Sequence, residues 1–465
     1  MKPVVVLVGQ PNVGKSTLFN RLTGGRQALV ADVPGLTRDR QYGAGIVGDR
    51  AYLVVDTGGL TGWSPAPMRS TLELLMQGQV QQALSEANAT IFLTDGRVGP
   101  NAVDHDIAKA LRRQHAPVWL AVNKTEGLDP QVAVTEFYDL GLGEPAAISA
   151  RRGSGVDALM ARVLAALPCV DVPVADSAMP LIAVAGRPNV GKSTLVNALL
   201  GEQRVLVSDT PGTTRDSIHV TLHRSGRRYG LIDTAGVRRR SRTVGVVEKY
   251  SVVKTLQAIE AANVVILVLD GVAGIVDQDA MLGGFVVEQG RALVVAVNKW
   301  DAVDEAQSRQ VRRDLERRLR FLSFACSHFI SAQGGTGIGG LFESVDRAFM
   351  SARRTLTTPK LNRILQRAVQ ASAPPRAKSG PIRLKYAHQG GKNPPLVVIH
   401  GTRVDSVPVS YRRYLSNALR AGFGLVGTPV RIELRVGDNP YDTGSKVGPT
   451  VGRRRRQSRR AAGKK

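Results

Sequence analysis

Cysteine and long hydrophobic runs are both scarce in this sequence. The two cysteines, Cys169 and Cys326, lie far apart and lack the spacing of metal ligands, which excludes a disulfide scaffold and a cysteine-based zinc site and favours a reducing compartment. The longest apolar runs, such as Val264–Leu269, have strand length, so no segment is predicted to span a bilayer. The apolar run Val4–Val8 leads directly into Gly9 without the longer core and cleavage site of a signal peptide, and the sequence therefore predicts a cytoplasmic protein.

Acidic residues are outnumbered, and the imbalance is concentrated at one end of the chain. The sequence contains 38 Asp and Glu against 63 Lys and Arg, a net charge of +25. Residues 351–465 hold 25 basic and 4 acidic residues and carry +21, whereas the first 350 residues carry +4. Scattered basic residues are typical of a solvated surface, but an excess confined to one quarter of the chain favours a nucleic-acid partner.

A repeat of about 177 residues divides the first part of the chain. With 465 residues, of which 43% are hydrophobic, the length predicts about three domains with cores of their own. The segment Gly9–Leu18 recurs as Gly186–Leu195. Four more pairs follow in the same order: Pro34–Asp39 with Pro211–Asp216, Asp56–Gly59 with Asp233–Gly236, Asn123-Lys124 with Asn298-Lys299, and Ile148–Ala150 with Ile330–Ala332. Five ordered matches indicate a duplicated domain.

Each copy alternates strand-like apolar runs with helix-length segments. In the first copy the predicted strands are Val4–Val8, Tyr52–Val55, Ala89–Leu93 and Val118–Val122, and the predicted helices are Leu72–Glu86 and Val103–Gln114. This alternation predicts an α/β fold with a doubly wound, mostly parallel sheet, in which the motifs follow the carboxyl ends of strands. We predict a first domain at 1–166, a linker at 167–179, a second domain at 180–350, a third at 351–440 and a basic disordered tail at 441–465.

Both copies contain the G-x-x-x-x-G-K-S pattern of a phosphate-binding loop. Its glycines let backbone N–H groups surround a β-phosphate at the start of the following helix. We expect Lys15 and Lys192 to reach the β- and γ-phosphates, and Ser16 and Ser193 to bind Mg²⁺. The predicted phosphate residues are Gly9, Gln10, Pro11, Asn12, Val13, Gly14, Lys15, Ser16 and Thr17, and in the second copy Gly186, Arg187, Pro188, Asn189, Val190, Gly191, Lys192, Ser193 and Thr194. A glycine-rich turn without a ligand is the alternative, and the repetition of strand, motif and helix disfavours it.

Further motifs predict the metal shell and the contacts to the γ-phosphate. Thr37 and Thr214 lie in Pro-Gly-containing segments and are predicted to supply a second Mg²⁺ oxygen, so that loss of the γ-phosphate would release the loop. Asp56 and Asp233 lie at the ends of predicted strands and are predicted to contact the Mg²⁺ ion or its bound water. The two D-x-x-G motifs consist of Asp56, Thr57, Gly58 and Gly59 in the first copy, and of Asp233, Thr234, Ala235 and Gly236 in the second.

A third pair of motifs distinguishes guanine from adenine. In Asn298-Lys299-Trp300-Asp301 the carboxylate can accept from guanine N1–H and the 2-amino group, a donor pair that adenine lacks. We expect Asn298 to address the purine edge, the lysine stem to cover the base, and the Ser331-Ala332 backbone to donate to guanine O6. The corresponding residues of the first copy are Asn123, Lys124, Glu126, Ser149 and Ala150. Because Glu126 replaces aspartate with a side chain one methylene longer, we expect guanine binding with a different affinity.

With these motifs, each copy resembles the Era-like GTPases of the translation-factor class. The whole chain, with two such domains and a small basic domain, resembles the Der (EngA) family of bacterial tandem GTPases over about residues 3–440. The resemblance implies two tandem P-loop GTPase domains and a C-terminal α+β KH-like domain. It also implies a monomer that hydrolyses GTP with Mg²⁺ in assembly and stability of the large (50S) ribosomal subunit, with the subunit precursor and rRNA as partners.

Neither copy has the glutamine with which Ras-like enzymes orient the attacking water. Leu60 and Val237 stand at the positions that directly follow D-x-x-G. The resemblance implies that Asn12 and Asn189 instead help to hold a K⁺ ion near the phosphates, although Pro-Asn is also a common turn dipeptide. The segment Arg238–Arg242 is either a solvated switch loop or a charged contact to RNA or a neighbouring domain.

The C-terminal region has the pattern of a small domain followed by a basic tail. A helix at Leu361–Ala371, strands at Ile382–Ala387 and Leu396–His400, a helix at Val409–Ala421 and a strand at Pro429–Val436 are predicted. This order resembles the KH-like domain of the family. The one G-x-x-G, Gly424–Gly427, lies between a helix and a strand rather than between two helices, which disfavours an ordinary KH clamp on RNA and leaves packing on the GTPase domains as the alternative. The arginine-rich tail suits a phosphate backbone through counterion release.

Three functions are consistent with these patterns. The first is a GTPase switch that binds a ribosomal precursor in one nucleotide state and leaves after hydrolysis. The second is an RNA-binding assembly scaffold in which one guanine site is structural. The third, a tRNA-modifying GTPase, is disfavoured because such enzymes carry a C-terminal catalytic cysteine, whereas Cys326 lies within the predicted second GTPase domain.

Overall fold

A computed structural model of the chain describes residues 2–24, 29–30, 41–57, 79–114, 116–167, 179–201, 219–232, 252–376 and 380–437. These residues form two compact units. The first holds the described residues up to 354 together with 391–395 and 424–430, and the second holds 355–376, 380–390, 396–423 and 431–437.

Two sheets form the framework of the first unit. The first sheet contains β1 (Val4–Gly9), β2 (Leu29–Val30), β3 (Gln41–Val47), β4 (Arg50–Asp56), β5 (Ala89–Asp95), β6 (Val118–Asn123) and β7 (Ala146–Ala147), in the order β2-β3-β4-β1-β5-β6-β7. The second sheet contains β8 (Leu181–Ala185), β9 (His219–Arg224), β10 (Arg227–Ile232), β11 (Val264–Asp270), β12 (Ala292–Asn298) and β13 (Cys326–Phe329), in the order β13-β12-β11-β8-β10-β9. In both sheets the antiparallel pairs lie at one edge, β2-β3-β4 and β9-β10, and the other pairs are parallel.

Helices follow the strands in both copies. The described helices of the first copy are α1 (Lys15–Leu22), α2 (Gln79–Glu86), α3 (Ala102–Leu111), α4 (Pro130–Val134) and α5 (Val156–Ala165). Those of the second copy are α6 (Lys192–Gly201), α7 (Val252–Ala261), α8 (Asp277–Glu288), α9 (Glu305–Arg318) and α10 (Gly339–Arg353). Within the described residues, no helix is both long and apolar enough to cross a membrane.

The predicted α/β fold is confirmed, and the four apolar runs of the first copy form β1, β4, β5 and β6. Strands β1, β11 and β12 are buried along their whole length, because parallel strands covered on both faces need apolar side chains at every position. The helix predicted at residues 103–114 spans Ala102–Leu111, and of the helix predicted at residues 72–86 the structure describes Gln79–Glu86. Of the predicted linker, residues 168–178 lie outside the described part, as does the whole predicted tail.

The second unit has the predicted α-β-β-α-β order. Its elements are α11 (Thr358–Ala371), β14 (Arg383–Gly391), β15 (Leu396–Thr402), α12 (Val409–Phe423) and β16 (Arg431–Val436), with the sheet order β14-β15-β16. Strand β14 continues past its predicted end at residue 387. This extension is possible because Gly390 has no side chain, and a Cβ there would come within 2.7 Å of Val398 Cγ2 on the adjacent strand.

The two copies are in direct contact within the first unit. Lys2, just before β1, donates from Nζ to Glu260 Oε1 on α7 at 2.7 Å. The Glu260 side chain is only 8% exposed, and burial raises its pKa while the positive charge of Lys2 opposes that shift. Gln257, also on α7, donates to the backbone oxygen of Lys2. An ion pair with one largely buried partner therefore joins the start of the first copy to a helix of the second.

The G-x-x-G segment is used for packing inside the first unit. It lies between the end of α12 at Phe423 and the start of β16, as the sequence predicts. The Gly427 N–H donates to Phe324 O at 2.8 Å, and Gly427 O accepts from Leu293 N at 2.7 Å. Both backbone groups of Gly427 are therefore occupied by protein partners, an arrangement unlike a loop that clamps an RNA backbone.

We expect Gly427→Ala to destabilise the protein more than Gly424→Ala. Both glycines have left-handed backbones, with φ of 69° and 61°, so both alanine variants carry a backbone cost of about 1–2 kcal/mol. A Cβ at position 427 would lie 2.5 Å from Ala348 Cβ, whereas a Cβ at position 424 meets no atom within 4 Å. The added overpacking should cost about 1–3 kcal/mol more. Urea unfolding followed by circular dichroism measures the difference, and equal midpoints for the two variants would contradict it.

Candidate nucleotide-binding sites

Both phosphate loops connect a central strand to the first turn of a helix. In the first copy β1 ends at Gly9 and α1 begins at Lys15, with Gly14 in a left-handed conformation of φ 102°. A Cβ at Gly14 would collide with Asn123 Nδ2, and Gly191 of the second copy stands in the same relation to its asparagine. Neither helix has an acidic residue in its first turn, so the N–H groups and dipole at each helix start are available to an anion.

The loop lysines point back across their own loops. Lys15 Nζ donates to Gly9 O at 2.9 Å and to Gln10 O at 2.7 Å, and Lys192 Nζ donates to Arg187 O at 2.6 Å. Burial lowers the pKa of Lys15, and the negative charge of Asp56 opposes this shift. An anion bound in the loop would supply a stronger partner for this buried ammonium group than the carbonyl oxygens do.

Two predicted Mg²⁺ ligands meet in the first copy. Ser16 Oγ donates to Asp56 Oδ2 at 2.9 Å, and the parallel register of Leu7 with Asp56 places this carboxylate beside the phosphate loop. Asp56 is 1% exposed at the end of β4. Hard oxygen donors of this kind fit Mg²⁺. The following Thr57 donates to Leu7 O at 2.8 Å, which fixes the exit of the strand.

Several predicted residues lie outside the described part of the chain. These are Thr37, Gly58, Gly59 and Leu60 of the first copy, and Thr214, Asp233, Thr234, Ala235, Gly236 and Val237 of the second, with the arginine-rich segment 238–242.

Two buried asparagines connect the phosphate loops to the predicted base-binding loops. Asn123 donates from Nδ2 to Val13 O at 2.7 Å and accepts at Oδ1 from Ala150 N at 2.9 Å. Asn298 makes the same two bonds, to Val190 O and from Ala332 N, both at 2.8 Å. The sequence predicts that the Asn298 amide addresses the purine edge and that the Ser331-Ala332 backbone donates to guanine O6; in the structure the Ala332 N–H donates to the Asn298 amide oxygen.

The lysines that follow these asparagines are also fixed alike in both copies. Lys124 and Lys299 have left-handed backbones, with φ of 66° and 61°, and each donates from Nζ to a strand-end aspartate, Asp95 or Asp270, at 2.6 Å. Burial by itself would raise the pKa of Asp270, but hydrogen bonds from Lys299 and from two backbone N–H groups hold that pKa below its ordinary value.

The predicted serines and acidic residues of the base-binding loops lie in turns after the strands. Ser149 Oγ accepts from Arg152 N at 3.2 Å, and Ser331 Oγ accepts from Gly334 N at 3.0 Å. Asp301 is exposed in the short 3₁₀ helix Trp300–Ala302, whereas Glu126 is only 13% exposed.

Sequence reasoning missed four aspartates that support these loops. Besides Asp95 and Asp270, these are Asp104 on α3, which accepts from Gln10 Nε2 at 2.7 Å, and Asp279 on α8, which accepts from Arg187 Nε at 2.8 Å. Burial raises the pKa of both Asp104 and Asp279. The signal was present in the repeat, because both aspartate pairs are separated by the same 175 residues as the two asparagines.

We expect Asn298→Ala to destabilise the second copy by about 2–4 kcal/mol. Asn298 is 3% exposed, and its removal leaves Val190 O and the Ala332 N–H buried without partners. Asn298→Asp keeps only an acceptor and places a carboxylate against a carbonyl oxygen, so it should be at least as harmful. Thermal and urea unfolding of the full chain measure the effect, with Asn123→Ala as the matched variant of the first copy. An unchanged unfolding midpoint would show that the bridge does not hold the loops together.

Comparisons with known proteins agree with this architecture. A family model described as a 50S ribosome-binding GTPase matches residues 4–124 and again residues 181–299, and a model described as the C-terminal KH-domain-like region of EngA bacterial GTPase enzymes matches residues 355–435. GTPase Der of Nitrosospira multiformis is 55% identical over 461 residues, covering 99% of this chain and 98% of that protein. GTPase Der of Azoarcus sp. is 54% identical over 444 residues, covering 95% of this chain and 100% of that protein.

Among solved structures, Era in complex with MgGDPNP and a segment of 16S ribosomal RNA is 21% identical, with a TM-score of 0.28, over 56% of this chain and 92% of that chain. The near full-length identity to GTPase Der, the two GTPase matches and the C-terminal match confirm the resemblance found in the sequence. The chain is a GTP hydrolase with two tandem GTPase domains and a KH-like domain, and it belongs to the Der (EngA) family of bacterial GTPases.

Proposed function

We propose that the chain is a GTP-driven switch in the cytoplasm that acts in assembly and stability of the large (50S) ribosomal subunit. The observation that carries the proposal is that the described geometry around the phosphate loop occurs twice. Each copy has its lysine folded over the loop, its asparagine bridge and its lysine–aspartate pair. Two sites kept in the same detail support two nucleotide-dependent steps, and the ribosome-binding description of the matching family supports the partner.

In this proposal the two sets of residues predicted from the sequence bind GTP or GDP with Mg²⁺. The ammonium groups of Lys15 and Lys192 neutralise the β- and γ-phosphates, while the N–H groups at the start of α1 and α6 surround the β-phosphate. Ser16 and Asp56 would hold the metal in the first site together with Thr37, and Ser193, Thr214 and Asp233 would do so in the second. When bound, Mg²⁺ would supply positive charge to the phosphate oxygens during hydrolysis. Loss of the γ-phosphate ends the contacts of the threonine segments and so changes the surface offered to the ribosomal precursor.

Hydrolysis in this proposal also uses K⁺ beside each phosphate loop. Asn12 and Asn189 have the same left-handed backbone, with φ of 64° and 63°, and both side chains are exposed. Among the contacts of the described residues, neither amide side chain makes a hydrogen bond, so each carbonyl oxygen is available to a cation. A cation there would supply positive charge next to the transferring phosphoryl group, which neither Leu60 nor Val237 can do.

We expect GTP turnover by the full chain to be at least about 10-fold faster in KCl than in NaCl, because a K⁺ ion beside each phosphate loop would add positive charge next to the transferring phosphoryl group. Asn12→Ala and Asn189→Ala should each reduce the stimulation, and the double variant should remove it. Steady-state phosphate release measures the rates, with GDP affinity as the control for an intact loop. Equal rates in the two salts would exclude the K⁺ site, and full stimulation of the double variant would exclude these residues.

The switch itself is tested by co-sedimentation with ribosomal subunits. We expect the full chain to sediment with the large subunit in the presence of a non-hydrolysable GTP analogue and not with GDP. Lys15→Ala and Lys192→Ala should each lower turnover at their own site by on the order of 100-fold and weaken this association, because the γ-phosphate loses its counter-charge. In the alternative, an RNA-binding scaffold with one structural site, one of these variants alters stability and leaves turnover unchanged. Association that does not depend on the nucleotide would exclude the switch.

A further inference from the structure

The two base-binding loops differ at one position beside the shared lysine–aspartate pair. Two residues after Asp95 the first copy has Arg97, and two residues after Asp270 the second copy has Val272. Arg97 Nη2 donates to Glu126 Oε1 at 3.1 Å. Val272 has no polar side-chain atom and is 43% exposed, and Asp301 makes no ion pair within the described residues. Within the described residues, therefore, only the first copy has a basic residue paired with the carboxylate that is proposed to read guanine.

Glu126 is a largely buried carboxylate that is prepared to accept hydrogen bonds. Its own backbone N–H and the nearby Ser149 hydroxyl, together with Arg97, hold the pKa of Glu126 below its ordinary value, so the group is ionised at neutral pH. Its Oε2 is buried and accepts no hydrogen bond in the described part of the chain. A desolvated acceptor without a partner is unfavourable, and a ligand that brings N–H donors removes that cost.

The extra methylene of Glu126 explains why this loop needs a second support. A glutamate has one more rotatable bond than an aspartate, so more conformational freedom must be lost before both oxygens face a ligand. Arg97 is itself held, because its backbone N–H donates to Asp95 Oδ1 at 3.1 Å while Asp95 Oδ2 accepts from Lys124. Lys124, Asp95, Arg97 and Glu126 thus form a continuous chain of polar contacts that begins and ends in the same motif.

We propose that Arg97 is a positioning residue that sets guanine specificity at the first nucleotide site by holding the Glu126 carboxylate toward the base. This inference rests on the proposed role of Glu126 as the guanine acceptor. The ligand class is a purine nucleotide that carries both an N1–H and a 2-amino donor. A nucleotide with hypoxanthine lacks the 2-amino group, so it gains less from a carboxylate held in a fixed orientation.

The effect of Arg97 on nucleotide binding can be measured without unfolding the protein, because the Arg97–Glu126 pair is partly exposed to solvent. Arg97 is 59% exposed, and exposed ion pairs add little to stability, so removal of the guanidinium should leave the chain folded. A well-oriented carboxylate instead affects the affinity of the ligand that uses both oxygens. Loss of Arg97 should therefore change the ratio of affinities for two bases, and a purely structural residue would not change that ratio.

The test measures binding of GDP, IDP and XDP to full-length protein that carries Lys192→Ala, so that binding reports the first site. We expect Arg97→Ala to weaken the binding of GDP about 5-fold and the binding of IDP by less, so that the ratio of GDP affinity to IDP affinity falls. In a Glu126→Asp background the shorter carboxylate no longer reaches the guanidinium, and Arg97→Ala should then have no effect. Val272→Ala in protein that carries Lys15→Ala is the matched change at the second site and should leave the preference there unchanged.

Glu126→Gln separates this inference from the proposed function beneath it. An amide at position 126 replaces one acceptor by a donor, so it should shift the preference from GDP toward XDP. Suppose that Glu126→Gln has this effect, but that Arg97→Ala leaves the GDP-to-IDP preference unchanged or weakens the binding of all three nucleotides equally. The proposed role of Arg97 is then overturned, and the assignment of Glu126 as the guanine acceptor stands. If Glu126→Gln leaves the base preference unchanged, the assignment of Glu126, and with it this inference, is overturned.

Discussion

The asparagine bridge is the interaction on which both nucleotide sites depend. One amide group, of Asn123 or Asn298, bonds the carbonyl of the phosphate loop on one side and the N–H of the base-binding loop on the other. The two loops follow different strands of one sheet, and the bridge adds a direct bond between them to the spacing set by the sheet register. The glycines Gly14 and Gly191 follow from the same constraint, because any Cβ there would occupy the space of the amide. In the proposed binding mode a nucleotide would span these two loops, so the bridge would set the distance between phosphate and base contacts.

Around this shared bridge the two copies have different surroundings. In the second copy the base-binding loop is supported by packing, since the Trp300 and Phe329 rings lie 4.3 Å apart and the guanidinium of Arg312 stacks on the Phe329 ring at 4.1 Å. In the first copy Thr125 stands in place of the tryptophan, and the Arg97–Glu126 ion pair adds polar support to the lysine–aspartate pair that both copies share. Aromatic packing is insensitive to salt, whereas a partly exposed ion pair is screened by it. Added salt should therefore weaken the Arg97–Glu126 contact more than the aromatic packing of the second copy.

The parts of this architecture that were predictable are those with a fixed period or spacing. A buried parallel strand is a continuous apolar run, so Val4–Val8 could be assigned directly, and the phosphate loop has a fixed distance between its glycines and lysine. Contacts between distant residues were not predictable. Arg97 meets Glu126 across 29 positions only because β5 and β6 pair with Asp95 opposite Asn123. The partners of the bridging amides escaped sequence analysis for the same reason, because a motif names the residue types and the sheet register decides which atoms they reach.

An ion pair links the framework of the first site to the second copy. Strand β1 ends in the first phosphate loop, and Lys2, two residues before it begins, forms the ion pair with Glu260 on α7. Helix α7 begins at Val252, after the second D-x-x-G motif in the chain. A movement of α7 that left Lys2 behind would leave a largely buried carboxylate without the ammonium group that opposes the effect of its burial, which costs free energy. Strand β1 is buried along its whole length and cannot shift alone. Helix α7 and the framework of the first site therefore either keep their contact or lose the free energy of the Lys2–Glu260 ion pair when they separate.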